Sequence, residues 1–77
     1  MTTRFAPLPE VPASRMHIEK LRADDTERTH VLFGGYRWED QKLKNWLKAE
    51  GASLIKIIRS RHDLEHMEIH FKWKAAE

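Results

Sequence analysis

Residues 61–74 read RHDLEHMEIHFKWK, and whether this run is helix or strand decides the fold. Its first part fits the H-x-x-E-H pattern of one class of zinc peptidases, with His62, His66 and His70 at four-residue spacing. On a helix the three imidazoles would line one face, two neighbours could share an ion, and Ser60 and Asp63 would have capping-box spacing. That helix would leave Ile69 and Trp73 off its apolar stripe. Read as a strand, the same residues sort cleanly: Met67, Ile69, Phe71 and Trp73 to one side, Glu68, His70, Lys72 and Lys74 to the other. The alternation predicts a half-buried strand over 67–74. At a rise of ~3.3 Å per residue, His66 and His70 then stand roughly 13 Å apart and cannot bind one ion together. His62 falls with Asp63 in a hairpin loop. A metal site on His62, His66 and His70 is therefore the remotest functional reading, and a peptidase would further need a third ligand, a shaped cleft and a supporting shell.

Working outward, the segment 53–59 (SLIKIIR) is short, rich in β-branched residues and bounded by Gly51 and polar residues, which predicts the partner strand of a hairpin. It is apolar on both faces, Ile55 and Ile57 against Leu54 and Ile58. One face has a helix to meet; the other calls for a cover, either a second subunit or the N-terminal arm. The helix lies over 39–50. Leu43, Trp46 and Leu47 form its apolar stripe, Glu39 and Asp40 sit at its positive end, Lys48 lies in its last turn, and Gly51 stands where a left-handed cap belongs. With Glu39 as the N-cap, Trp38 and Leu43 have the spacing of a hydrophobic staple.

Upstream, 29–33 (THVLF) reads as a strand that Gly34 and Gly35 end or bulge. The segment 15–21 (RMHIEKL) fits helical and strand spacing alike; a strand is favoured, joined to 29–33 by a polar loop carrying Asp24 and Asp25. Residues 1–14 hold all three prolines and form a flexible arm. Phe5, Leu8 and Val11 recur at three-residue intervals within it, suited to a polyproline-type strip laid on the domain or on a partner. The predicted architecture is α+β: a hairpin, a helix and a second hairpin (ββαββ), giving a small antiparallel sheet with one helix on one face, over 15–77.

Composition narrows the function. Seventy-seven residues make one small domain with a thin core and little room for a deep substrate cleft. The absence of cysteine excludes disulfides, thiol catalysis and cysteine-based zinc sites, and points to the cytoplasm. No segment approaches the ~18 apolar residues of a membrane span, and the N-terminus lacks the pattern of an export signal. The net charge is +2; over 37–74, nine bases face six acids, which permits nucleic-acid binding without demanding it.

No catalytic constellation stands out. Ser60, His62 and Asp63 are too close in sequence to build a triad, which draws on distant segments. The carboxylate pairs Asp24–Asp25 and Glu65–Glu68 read as loop solvation and strand-surface charge. FGGYRW, residues 33–38, is neither a dinucleotide fingerprint nor a Walker loop. The expected protein is non-enzymatic and without cofactor: a protein-interaction module, a homodimer or an accessory or inhibitor protein of phage or plasmid type. The candidate contact residues are Leu54, Ile58, His66 and His70. The alternative is nucleic-acid binding by a basic and aromatic sheet face comprising Tyr36, Arg37, Lys56, Arg59, Arg61, Lys72 and Lys74, with Trp73 assigned to the core.

Overall fold

The alternation in the last strand organises the whole sheet. In the computed structural model, which describes residues 5–21 and 27–74, this segment is β4 (His66–Lys72), hydrogen-bonded on both sides. The other strands are β1 (His17–Lys20), β2 (His30–Tyr36) and β3 (Ser53–Arg59). They form one antiparallel sheet of four strands in the order β1-β2-β4-β3, with a 3-10 turn (Arg37–Glu39) leading into the helix α1 (Asp40–Glu50) between β2 and β3. The α+β architecture expected from the sequence is the one observed, and the ambiguous segment around residue 18 is a strand. The expected turn at Asp24 and Asp25 lies outside the described residues.

One face of the sheet carries the core. Ile18, Leu32, Ile69 and Ile57 stand side by side across the strands, and α1 presses Leu43 and Leu47 onto them together with Met67, Phe71 and Trp73. Leu32, Leu43, Leu47, Ile69 and Phe71 are at most 1% exposed, and burial at that level supplies ~1.5–3 kcal/mol for each large apolar side chain. The helix begins after Glu39 as N-cap and ends at Gly51, whose φ of +103° provides the left-handed cap. Trp38 is not part of the core that encloses Leu43, so the hydrophobic staple allowed by the spacing does not form.

The described part of the arm lies on the helix side. Phe5, Ala6, Val11 and Ala13 pack against the core, while Leu8 is exposed. The Ala6 N–H donates to the Lys74 carbonyl at 3.1 Å, and the Trp73 indole N–H donates to the Ala6 carbonyl at 2.8 Å. Phe5 meets His30 edge-on at 4.9 Å, and His30 stacks at 6.0 Å on Phe71. His30 is the single buried polar residue among those described, and burial first, then the charge of Lys20, hold its pKa below the ordinary value near 6.5. Its Nδ1 lies 2.8 Å from the Thr29 hydroxyl, whose oxygen already accepts the Trp73 N–H; the hydroxyl proton is thus available to a neutral imidazole.

The glycine pair does not end β2 but bulges it. Leu32 faces Ile69 and Gly35 faces Met67, so β2 spends one more residue than β4 over this step. Gly34 takes φ +87°, and a β-carbon there would overlap the Arg15 carbonyl oxygen and lie 2.9 Å from Met16 Cα. Only glycine fits this crossing. Because side chains alternate with a period of two, the extra residue reverses every side chain after it. Tyr36, which would otherwise point at the helix, emerges opposite His66 on the other face.

Candidate interaction surface

The face away from α1 is built from the residues that alternate with the core. His17 and Glu19 come from β1, Val31 and Phe33 from β2, His66, Glu68, His70 and Lys72 from β4, and Lys56 and Ile58 from β3. Val31 is 3% exposed, closed in by its neighbours rather than by the helix. Phe33 stands between two depressions. The larger, about 380 Å³, is lined by Phe33, Gly34, Ile58, Ser60, Asp63, His66, Met67 and Glu68. The smaller, about 250 Å³, is lined by Glu19, Lys20, Leu21, Val31 and Phe33. The surface is an aromatic ridge between two hollows.

Two of its histidines stand beside carboxylates. His17 Nε2 lies 3.1 Å from Glu19 Oε2, and the imidazole stacks on Phe33 with centroids 5.1 Å apart. His70 Nε2 lies 3.5 Å from Glu68 Oε1 and is buried without a hydrogen-bond partner. At the hairpin end, Asp63 accepts the N–H groups of His66 at 2.9 Å and Glu65 at 3.0 Å, and these bonds hold its carboxyl below the usual range. Such an Asx turn closes the 60–65 loop, and His62 stays in it, exposed, its N–H bonded to Ser60 Oγ at 3.1 Å. Among the described residues, no three His, Asp or Glu side chains converge as a metal site would require.

Of the contact residues expected from sequence, Ile58 and His66 meet around the larger hollow and His70 sits mid-face. Leu54 does not join them. It lies at the opposite end of β3, in a bulge with φ +51°, where its carbonyl accepts the Arg28 side chain at 2.7 Å. The proposed basic row is divided between faces. Lys56 and Lys72 occupy the open face, but Arg59 turns to the helix and pairs with Asp40 at 2.6 Å, and Lys74 reaches the Glu50 carbonyl at 3.1 Å. Arg61 is in the loop, and Trp73 is core, 2% exposed.

Trp38, which with Tyr36 and Arg37 interleaves aromatics with a base in the sequence as a stacking platform would, stands out in the structure. At 70% exposure it is the most exposed large apolar side chain among the described residues, followed by Leu64 at 68%. Its ring lies on Tyr36, centroids 4.6 Å apart and planes 9° apart. The Arg15 guanidinium sits 4.3 Å from the Tyr36 centroid, and the His66 ring 5.0 Å from it. Glu39 pins this corner by accepting the Tyr36 N–H at 3.1 Å while pairing with Arg15, an arrangement that depresses its pKa. Arg37 ties the corner to the hairpin loop through its N–H to the Glu65 carbonyl, 2.7 Å, and its side chain to the Leu64 carbonyl, 3.3 Å. The double glycine contributes to this arrangement, because its bulge turns Tyr36 away from the core. No helix is long and apolar enough to cross a membrane among the described residues. No protein-family model, curated protein or solved structure matches this chain.

Proposed function

We propose that the chain is a small, non-enzymatic protein-interaction module that docks on a second copy of itself through the open sheet face. The observation that carries this reading is the Phe33 ridge flanked by two hollows on one surface. A two-fold interface needs a patch complementary to itself, and a ridge beside a hollow meets that need when one copy is turned over onto the other. The charges are mixed in a way that fits this: Lys56 and Lys72 share the face with Glu19 and Glu68, so two facing copies can set base against acid.

The geometry also limits the affinity. Four strands at ~4.8 Å spacing and ~3.3 Å per residue make a face of roughly 400 Å² in plan. A contact of that footprint lies at the small end of interfaces, so a weak, reversible dimer is expected. Sedimentation velocity from micromolar to millimolar protein is expected to show a monomer–dimer equilibrium. Ile58→Glu, which places a charge at the hollow without touching the core beneath, is expected to give a monomer with unchanged circular dichroism. A wild-type chain that stays monomeric throughout this range refutes the proposal.

A further inference from the structure

A separate corner of the molecule has the form of a stacking site. An exposed tryptophan ordinarily samples several rotamers, whereas Trp38 is laid flat on Tyr36, which is itself enclosed by Arg15 and His66. One indole face is thereby occupied and the remaining exposure belongs to the other face and the ring edge. The ordering that a ligand would otherwise impose has already been imposed by the fold. What such a surface offers is a flat π-face continuing a parallel stack, with cationic side chains beside it.

From this geometry we infer that Trp38 binds a planar nucleobase, which extends the Trp38–Tyr36 stack by one ring. Aromatic side chains that receive bases in this way are tolerant of sequence, because every base presents a π-face. The surrounding charges set the ligand's limits. Arg15 is engaged by Glu39, and Arg59 by Asp40, so neither is free to hold a phosphate strongly. Arg37 keeps donors beyond its bond to the Leu64 carbonyl, and Arg61 stands in the same loop. One or two phosphate contacts are therefore the most this corner supplies. Stacking dominates, and log K falls against log salt with a slope between about −0.7 and −1.4, at ~0.7 per phosphate for a single strand.

A base reaches the site from either a free nucleotide or a single strand, and the test separates them. Titration with AMP, with UMP and with an eight-residue oligothymidine is followed by calorimetry in wild type and variants, and by tryptophan fluorescence in the wild type, at several salt concentrations. A calorimetric affinity that is lost or weakened by ~5–150-fold in Trp38→Ala, and retained in part by Trp38→Phe, is the expected result. Because Trp38 lies outside the core, both variants are expected to keep the wild-type urea midpoint. Tighter binding of the oligonucleotide supports the strand as ligand; equal or tighter binding of the mononucleotide supports the free nucleotide. The inference is overturned by absence of quenching at millimolar nucleotide and 100-micromolar-scale strand, or by undiminished binding in Trp38→Ala. A salt slope steeper than about −3, which would place binding on a phosphate track elsewhere, overturns it too. So does quenching by a proline octapeptide with none by nucleotides.

Discussion

Replacing Gly34 by alanine tests the account of the β2 bulge more sharply than any core truncation. Two costs add. The residue holds φ +87°, a region where a side chain costs ~1–3 kcal/mol. The new β-carbon would also overlap the Arg15 carbonyl oxygen and lie 2.9 Å from both Arg15 C and Met16 Cα, all backbone atoms that no rotamer change can move aside. Overpacking of this kind costs a further ~1–3 kcal/mol. A domain of 77 residues has roughly 4–12 kcal/mol of stability in total, so ~2–6 kcal/mol is half of it. The neighbouring Gly35 supplies the control. Its φ is not positive, and its closest obstacle is a side-chain methyl, Leu43 Cδ1 at 2.6 Å, which belongs to a rotatable side chain rather than to the backbone. Urea unfolding followed by tryptophan fluorescence and circular dichroism is expected to rank wild type above Gly35→Ala above Gly34→Ala. The last should melt at least ~8 °C below wild type, at ~4–8 °C per kcal/mol. A Gly34→Ala protein within ~0.5 kcal/mol of wild type, or more stable than Gly35→Ala, would show that the bulge and the Arg15–Met16 crossing are wrongly described.

Stability is also expected to depend on pH through His30. Its folded pKa lies below that of the unfolded chain near 6.5, so the unfolded chain takes up the proton first and stability falls as pH drops below about 6.5. Urea midpoints measured between pH 7.5 and 5 should converge toward a flatter profile in His30→Phe, and an unchanged slope in that variant would remove His30 as the cause. Trp73→Phe keeps an apolar ring in the core but deletes the N–H that holds the Ala6 carbonyl. A loss of ~1–3 kcal/mol is expected, together with faster proteolysis within residues 5–14; wild-type protease resistance in this variant would mean that the bond does not fasten the arm.

The sequence carried most of the architecture because its long-range pattern is simple. Met67, Ile69, Phe71 and Trp73 could lie on one face only as a strand, and Leu43 with Leu47, closed by Gly51, could only be the helix that covers it. The open face was partly legible from the same alternation, since residues opposite a core must point elsewhere; His66, His70 and Ile58 follow from it. What could not be read were the places where one residue breaks the period. The bulge at Gly34 sends Tyr36 to the far face, and the bulge between Ser53 and Lys56 carries Leu54 away from Ile58. Pairing within one strand also says nothing of partners on another, so Arg59 with Asp40 and Lys74 with the Glu50 carbonyl dissolve the basic row that spacing suggested.

The place of β4 in the sheet governs how the molecule is assembled in time. It is the last strand in chain order, yet it lies between β2 and β3, which have no ladder with each other. Until residues 66–72 arrive, β2 and β3 have no strand between them, and the floor beneath Leu43 and Leu47 lacks Met67, Ile69 and Phe71. Both central ladders wait on this strand, so folding is expected to be paced by closure of the long connection between β2 and β4. The same arrangement makes β4 separable. A chain ending before residue 66 would lack the strand that joins β2 to β3, and a synthetic peptide of residues 61–74 is the piece that would restore both ladders.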